Sequence, residues 1–348
     1  MRVLRLFATL AVTSAVAAGC GAGGGASSNT IRVGWQTPWA TQGQIVQVLK
    51  RTNALELNGM HATYAGFAYG APLNAAALSG AVDVIFTADQ PAAALVARGG
   101  RWTIVGRLMY NRVSVYVPPR SSITTVAGLK GKRIGMPFGA AAQREALRAI
   151  EGAGLNIDHD IKPVNLDMSQ QVPIVRRGSA ASWSGVDALA GFDPVPAELQ
   201  AEGKVRMLHT SNVVSVVMMS NRVLEQHRDA AVRFLTAFRM AYYYFARHPK
   251  QTGGWFVKDS DLPFSQKALD ISASVEPNAS ALRPEDVRIL LNQAEIQQMR
   301  DGITFLHDHG LIDKAIDIRR FIDQGPASAA DARLQSDPQL FNRVAPTG

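Results

Sequence analysis

Apolar residues recur along the chain in two patterns, as short runs of strand length and as longer segments with helical spacing. From Ile31 the patterns alternate: IRVGW is followed by the helix-like GQIVQVLKRTNALE, and VDVIFTA by the helix-like PAAALVARGG. WTIVGRLM and VSVYVPP are predicted as two separate strands, as are VRMLHTS and VVSVVMMSN. Repeated strand–helix units of this length predict an α/β fold with a mostly parallel sheet covered by helices.

The order of elements predicts two lobes. Extended segments at residues 113–117 and 213–218 enclose a second strand–helix series, so the chain would cross to a second lobe and return. This predicts a first lobe of residues 30–115 and 214–348, a second lobe of residues 116–213, and a two-segment hinge. A ligand would lie in the cleft between the lobes, outside the C-terminal ends of the strands. A single continuous α/β domain is the alternative.

The first 29 residues have the pattern of an export signal followed by a tether. A short basic region precedes the apolar residues 6–18, which are too few to span a bilayer, so residues 1–19 are predicted as a signal peptide. Ala17-Ala18-Gly19-Cys20 resembles a bacterial lipobox, which predicts lipidation of Cys20; cleavage after Ala17 without lipidation is the alternative. Residues 20–29 are rich in glycine and serine, as flexible tethers are. We therefore expect an exported protein that is lipid-anchored to the cell membrane and faces the periplasm or the cell exterior.

Charge and motif content limit the function classes. The formal net charge is +8, but the basic residues are scattered, so we expect no nucleic acid partner. The sequence lacks a G-x-S-x-G elbow, an H-E-x-x-H pair and a phosphate-binding G-x-x-x-x-G-K loop. His307-Asp308-His309 is interpreted as a solvated helix end rather than a metal site. We expect a monomer without metal or cofactor, and not an enzyme.

Five predicted strand–helix junctions carry residues suited to ligand binding. Helix N-termini have free N–H groups and a partial positive charge, so strand ends that lead into helices can bind polar ligands without covalent bonds. The candidate substrate-binding residues at these junctions are Gln36, Thr37, Trp39, Tyr69, Gly70, Thr87, Asp89, Gln90, Phe138, Gly139, Ala140, Phe192 and Asp193.

Two of these candidates are aspartates, and their roles stay open at this point. Asp89 or Thr87 suits the N-cap of the helix that follows, and Asp89 could also accept a hydrogen bond from a ligand. Asp193 has the same two possible roles. Gly139 and the backbone N–H groups of Ala140 and Ala141 could form an anion cradle, although this loop has no hydroxyl group; an ordinary helix start is the alternative.

Three segments, in the same order as in a known family, resemble periplasmic binding proteins for nitrate, sulfonates, taurine and thiamine precursors. The first is ALSGAVDV with the Asp-Gln-Pro that follows it; the second is VAGLKGKRIGMPFGAAA; the third is VDALAGFDP. The C-terminal residues 294–323 resemble the closing helices of that family. The family resemblance implies a periplasmic-binding-protein fold of type II, with two α/β lobes around a ligand cleft.

The same resemblance implies a solute-binding protein that delivers a small-molecule solute to the permease and ATPase subunits of an ABC importer. Sulfonate- or taurine-like solutes are expected first, because the predicted lining is aromatic. Two alternatives remain: a tethered ligand sensor and a pyrimidine-synthesising enzyme of the same fold. The sequence also departs from the family, with Ala140 in place of the usual Ser or Thr and Phe192 in place of Trp.

Overall fold

A computed structural model describes residues 29–260 and 263–347. The predicted signal segment, Cys20 and nearly all of the predicted tether lie outside these residues. Among the helices of the described ranges, none combines the length and the apolar character needed to cross a membrane.

Eight strands of the described part of the chain form one mixed sheet, in the order β2-β1-β3-β8-β4-β7-β5-β6. The strands are β1 (Thr30–Gln36), β2 (His61–Phe67), β3 (Val84–Ala88), β4 (Trp102–Val117), β5 (Arg133–Met136), β6 (Lys162–Asn165), β7 (Ala188–Phe192) and β8 (Arg206–Ser220). β1 pairs in parallel with β2 and β3, and β5 pairs in parallel with β6 and β7. The antiparallel pairs all involve β4 or β8. The α/β fold is thus confirmed, whereas the sheet is less parallel than predicted.

The two long central strands correct the predicted element order. WTIVGRLM and VSVYVPP form the single strand β4 of 16 residues, and VRMLHTS and VVSVVMMSN form the single strand β8 of 15 residues. Polar residues interrupt the apolar pattern where these strands cross the molecule, and there Arg112 pairs with Asn212. Backbone hydrogen bonds between β4 and β8 continue through this polar stretch, so the interruption does not end either strand.

In residues 29–260 and 263–347, twelve α-helices cover the sheet. They are α1 (Ala40–Arg51), α2 (Gly70–Leu78), α3 (Asp89–Ala97), α4 (Ala141–Gly152), α5 (Met168–Arg177), α6 (Val195–Ala201), α7 (Asn221–Gln226), α8 (Arg228–Arg247), α9 (Pro249–Ser260), α10 (Gln266–Ala273), α11 (Gln293–Asp308) and α12 (Gly325–Ser336) in the described ranges. The helix α9 ends where the description of the chain is interrupted, and α10 begins after it.

The hydrophobic core is divided between two halves of the sheet. We call β1–β3 with α1–α3 and α7–α12 the first half, and β5–β7 with α4–α6 the second half; β4 and β8 belong to both. Phe86 and Ile85 point into different apolar clusters of the first half, on opposite faces of the sheet. Leu189 and Ala188 do the same in the second half. The predicted lobe boundaries fall within β4 and near the middle of β8, and they remain predictions.

Candidate functional site

Two cavities lie between the halves, at the ends of the strands. The smaller, of about 10 Å³, is lined by Gln36, Trp39, Gly70, Ala88, Pro91, Val113, Ala140, Ala141, Ala142 and Phe192. The larger, of about 350 Å³, is lined by Thr37, Pro38, Ala68, Asp167, Met168, Ser169, Val172, Pro173, Arg176, Val195, Glu198, Leu199, Ser260, Pro263 and Phe264. We call them the small cavity and the large cavity. Both halves contribute to each of them.

Six predicted site residues line these cavities. Gln36, Trp39, Gly70, Ala140 and Phe192 surround the small cavity. Thr37, the sixth, lines the large cavity. The β1–α1 junction therefore contributes to both cavities.

Backbone geometry explains why the β1–α1 and β2–α2 junctions lie together. β1 and β2 are parallel neighbours in register over seven residue pairs, so their C-terminal ends meet at one edge of the sheet. The Thr37 N–H donates a hydrogen bond to the Phe67 carbonyl oxygen at 2.9 Å, which ties the two junctions. Gly70 has no room for a side chain, because a Cβ there would lie 2.5 Å from Pro91 Cβ.

The other predicted residues do not line either cavity. Thr87 and Gln90 are buried, and Tyr69 is half-buried against the apolar cluster that contains Phe192. Phe138, by contrast, is 38% exposed, and its N–H donates to Asn165 Oδ1.

In the predicted anion cradle, the Ala140 N–H already has a hydrogen-bond partner within the protein, as does the N–H of Gly139. The Gly139 N–H donates to Gln143 Oε1 at 2.7 Å, and the Ala140 N–H donates to the Pro137 carbonyl oxygen at 3.2 Å. The next residues, Ala141 and Ala142, form the first turn of α4 and line the small cavity. The first-turn N–H groups of a helix have no intrahelical partner, so the donors at this wall come from α4 itself.

Asp89 forms an ion pair with Arg144, a partner that the sequence analysis did not predict. The helix α3 begins at Asp89, and its N-cap is Ala88, so neither Thr87 nor Asp89 is the N-cap residue as predicted. Asp89 Oδ1 accepts the Gln90 N–H at 2.7 Å, and Oδ2 lies 2.8 Å from Arg144 Nη1. Burial raises the pKa of Asp89, and the Arg144 guanidinium opposes that rise. The carboxylate at this strand end thus belongs to a buried ion pair.

Asp193 has a similar partner. Arg112 Nε and Nη2 donate to the two carboxylate oxygens of Asp193, at 2.6 and 3.0 Å. Burial raises the pKa of Asp193, while these bonds and the Ala197 backbone N–H oppose the rise. The paired geometry is bidentate, which is the strong form of the Arg–carboxylate contact.

Several buried polar atoms near the strand ends have no hydrogen-bond partner in the described part of the chain. They are Trp39 Nε1, Thr87 Oγ1, Gln90 Oε1, Asn111 Nδ2 and Ser215 Oγ. Ser215 pairs with Ala88 on β3 and with Met109 on β4, so it lies where the two halves meet. Buried polar atoms are normally hydrogen-bonded, and a ligand or ordered water can supply the missing partners. Trp39 Nε1 is a donor only, which favours an acceptor group in the small cavity.

The large cavity has an apolar lining and charged groups that are already paired. Asp167 Oδ1 accepts the Gln170 N–H at 2.9 Å, which caps α5. Arg176 Nη2 lies 2.7 Å from Glu202 Oε1. Glu198 Oε2 accepts the N–H and the hydroxyl of Ser265, at 2.7 and 2.8 Å. A solute there would meet chiefly the side chains of proline, methionine, valine, leucine and phenylalanine residues.

Comparison with protein families gives one match. The model described as "NMT1/THI5 like" matches residues 69–252, which is more than half of the chain. The chain belongs to the NMT1/THI5-like family. None of the curated protein sequences matches the chain.

Solved structures show the same fold at low sequence identity. The alkanesulfonate-binding protein SsuA from Xanthomonas axonopodis pv. citri bound to MOPS has a TM-score of 0.69 and 21% identity, and the match covers 86% of this chain and 99% of that chain. The nitrate-binding protein NrtA from Synechocystis PCC 6803 has a TM-score of 0.68 and 12% identity, covering 90% and 91%. A DSZB mutant in complex with biphenyl-2-sulfinic acid has a TM-score of 0.63 and 17% identity, covering 88% and 100%.

These matches confirm two predictions. The chain has the periplasmic-binding-protein fold, and it is of the type that the sequence resembled. Most of the similar structures are described as binding proteins.

Proposed function

We propose that this protein is the extracytoplasmic solute-binding component of an ABC importer, anchored to the membrane through a lipid on Cys20. It captures a small organic solute between its two halves and delivers it to the permease. The observation that carries the proposal is the position of the two cavities. They lie between the halves at the strand ends, where proteins of this kind of fold bind ligands.

The lining supports a solute with a polar group and an apolar body. Trp39 Nε1 and the first turn of α4 offer donors at the small cavity, which suits an acceptor such as a sulfonate, sulfinate or carboxylate oxygen. The large cavity, at about 350 Å³, is of the size that holds a small organic molecule. Nitrate would leave the apolar cavity unused. Alkyl and aryl sulfonates and taurine-like compounds are therefore the first solutes to test.

A thermal-shift and calorimetric screen tests this proposal. The full chain, with the predicted signal segment processed by its host, is titrated with alkyl and aryl sulfonates, aryl sulfinates, taurine, nitrate and pyrimidine thiamine precursors. A compound at about 100 times its Kd stabilises the folded state by ~2.7 kcal/mol, which raises Tm by a few degrees. Binding of one organic class supports the proposal, and an absence of binding across the whole panel overturns the solute assignment.

The variant Trp39→Phe tests the donor role of the indole. It keeps an aromatic ring beside Phe192 and removes the Nε1–H. A hydrogen bond to a charged acceptor contributes about 1.5–3 kcal/mol, so the affinity of an anionic solute falls by roughly tenfold to a hundredfold. Unchanged affinity would show that the acceptor lies elsewhere.

A further inference from the structure

A buried ion pair joins the two halves of the molecule. Asp89 is in the first turn of α3, in the first half, and Arg144 is in α4, in the second half. Arg144 Nη1 lies 2.8 Å from Asp89 Oδ2, and both residues are 0% exposed. Glu145, beside Arg144 on the same helix, also contacts the guanidinium, at 2.8 Å from Nε.

The guanidinium of Arg144 also packs against a second helix of the first half. A Cβ on Gly302 of α11 would lie 2.7 Å from Arg144 Nη1 and 3.0 Å from its Cζ. The glycine therefore provides the space that the guanidinium fills. Since α3 and α11 both belong to the first half, Arg144 reaches this place only when the halves are in contact.

The helices that carry the ion pair, with their N-cap residues, also line the small cavity from the two halves. Ala88 and Pro91, on either side of Asp89, line one wall. Ala140, Ala141 and Ala142, one turn before Arg144, line the other. Any separation of Asp89 from Arg144 therefore also separates these walls.

We propose that Asp89 and Arg144 form a charge-matched latch that holds the halves together and sets how readily the cleft opens. A buried charge that loses its partner is strongly unfavourable, whereas the same charge in an open cleft is solvated by water. Removing one member of the pair therefore destabilises the closed arrangement specifically. Removing both charges relieves that penalty and restores closure.

The remaining charges near the pair keep their own partners. Glu145 Oε1 lies 3.5 Å from Arg148 Nη1, and Glu145 Oε2 accepts the Ser211 hydroxyl at 3.2 Å. In the variant Arg144→Met, Glu145 thus retains a cation and a donor. In the described part of the chain, Asp89 then keeps the Gln90 N–H but no cation, so the uncompensated charge is that of Asp89.

Distances between two spin labels, one on each half of the molecule, test the latch without any solute. Spin labels are placed through Ser79→Cys in the first half and Lys162→Cys in the second half, both at exposed positions, in a chain with Cys20→Ser. In Arg144→Met, the distribution of distances between the two labels is expected to become broader and to shift to a population that the wild type lacks. The double variant Asp89→Asn with Arg144→Met is expected to return it to the wild-type distribution.

A charge pair within one half is the matched control. Arg239 Nη1 lies 3.2 Å from Asp331 Oδ1, and α8 and α12, which carry them, both belong to the first half. Arg239→Met is expected to lower the urea midpoint and leave the label distances unchanged. An Arg144→Met protein with wild-type label distances would overturn the latch. A double variant as open as the single variant would also overturn it, because the role of Arg144 would then be steric.

The effect on solute affinity rests on the proposed function. With a solute from the screen, Arg144→Met is expected to weaken binding by about 5-fold to 150-fold, the range typical of coupled conformational equilibria, and the double variant to recover most of it. Failure to find any solute would count against the proposed function alone, since the label distances still decide whether the latch exists. Shifted distances with unchanged affinity would overturn the claim that the latch sets how readily the solute site opens.

Discussion

The indole of Trp39 meets the phenyl ring of Phe192 edge to face across the cleft, with centroids 5.6 Å apart and ring planes at 85°. Trp39 precedes α1 in the first half, and Phe192 ends β7 in the second half. Both rings line the small cavity, whose volume is about 10 Å³. A solute group larger than about one water molecule therefore enters the small cavity only if one of the cavity walls moves.

Truncation of Phe192 tests the contribution of this contact to stability. Phe192→Ala removes a buried ring. Such changes typically lower the free energy of unfolding by about 3–5 kcal/mol, because neighbouring side chains fill the resulting cavity only in part. Urea unfolding monitored by circular dichroism measures the loss. Phe138→Ala is the matched control, since Phe138 is 38% exposed, and its free energy of unfolding is expected to change by less than about 1 kcal/mol. Equal effects of the two changes would contradict the importance assigned to the Trp39–Phe192 contact.

Filling the large cavity tests whether the solute body lies there. Ala68 is exposed and lines this cavity, so Ala68→Phe adds a ring to the cavity without disturbing the core. The affinity for an aryl solute is expected to fall tenfold or more, which is on the order of the cost of a steric mismatch in a binding pocket. The affinity for a small solute such as taurine is expected to fall less. Isothermal titration measures both. An aryl solute that binds Ala68→Phe as tightly as the wild type would place its body outside the large cavity.

Part of the fold follows from local sequence patterns. The strand and helix positions are visible because each burial pattern extends over a few neighbouring residues, as in VDVIFTA followed by PAAALVARGG. The continuity of β4 and β8 is not visible in the same way. Their hydrogen bonds run through Arg112 and Asn212, polar residues that a local pattern assigns to a break.

The sequence predicted six residues of the cavity walls, all at junctions where a strand leads into a helix. Gln36 ends β1, and Trp39 and Gly70 come shortly after β1 and β2. These parallel strands end at one edge of the sheet, so the proximity of the three residues follows from the strand order. The arginine partners of Asp89 and Asp193 could not be predicted from the strand order. Arg144 is 55 residues from Asp89 and lies in a helix whose other residues resemble an ordinary amphipathic pattern. Such pairings depend on how the two halves pack, which no local spacing encodes.

The membrane anchor is testable through the single cysteine. Cys20 lies outside the described residues, and its lipidation rests on the sequence Ala17-Ala18-Gly19-Cys20. In cells fed a clickable palmitate analogue, the wild-type chain is expected to carry the label and to fractionate with membranes, because acyl chains anchor an exported protein. Cys20→Ser is expected to abolish the label and release the protein. Ala17→Leu, which improves the lipobox, is the control expected to retain both. A labelled Cys20→Ser chain would contradict the assignment.

Acid sensitivity of the fold is expected at Glu295, in the first turn of α11. Burial of this carboxylate disfavours its charge, but hydrogen bonds from Arg288, the Asn292 N–H and Arg107 outweigh the burial and lower the pKa of Glu295 from 4.5 to about 2. A depressed folded-state pKa gives stability that is present above the unfolded value and lost as the pH falls towards the folded value. Between about pH 5 and pH 2, Glu295 alone is therefore expected to cost the fold up to roughly 3 kcal/mol.

Urea unfolding of the wild type and of Glu295→Gln at each pH isolates this contribution. Other carboxylates with lowered pKa values, such as Asp83 and Asp259, titrate in both proteins and cancel in the difference. The wild type is expected to be the more stable protein near pH 7, because Glu295→Gln leaves Arg107 and Arg288 short of a carboxylate. The difference between the two should shrink steadily as the pH falls below about 5. A constant difference down to about pH 2 would contradict the expected titration of the Glu295 carboxylate in this range.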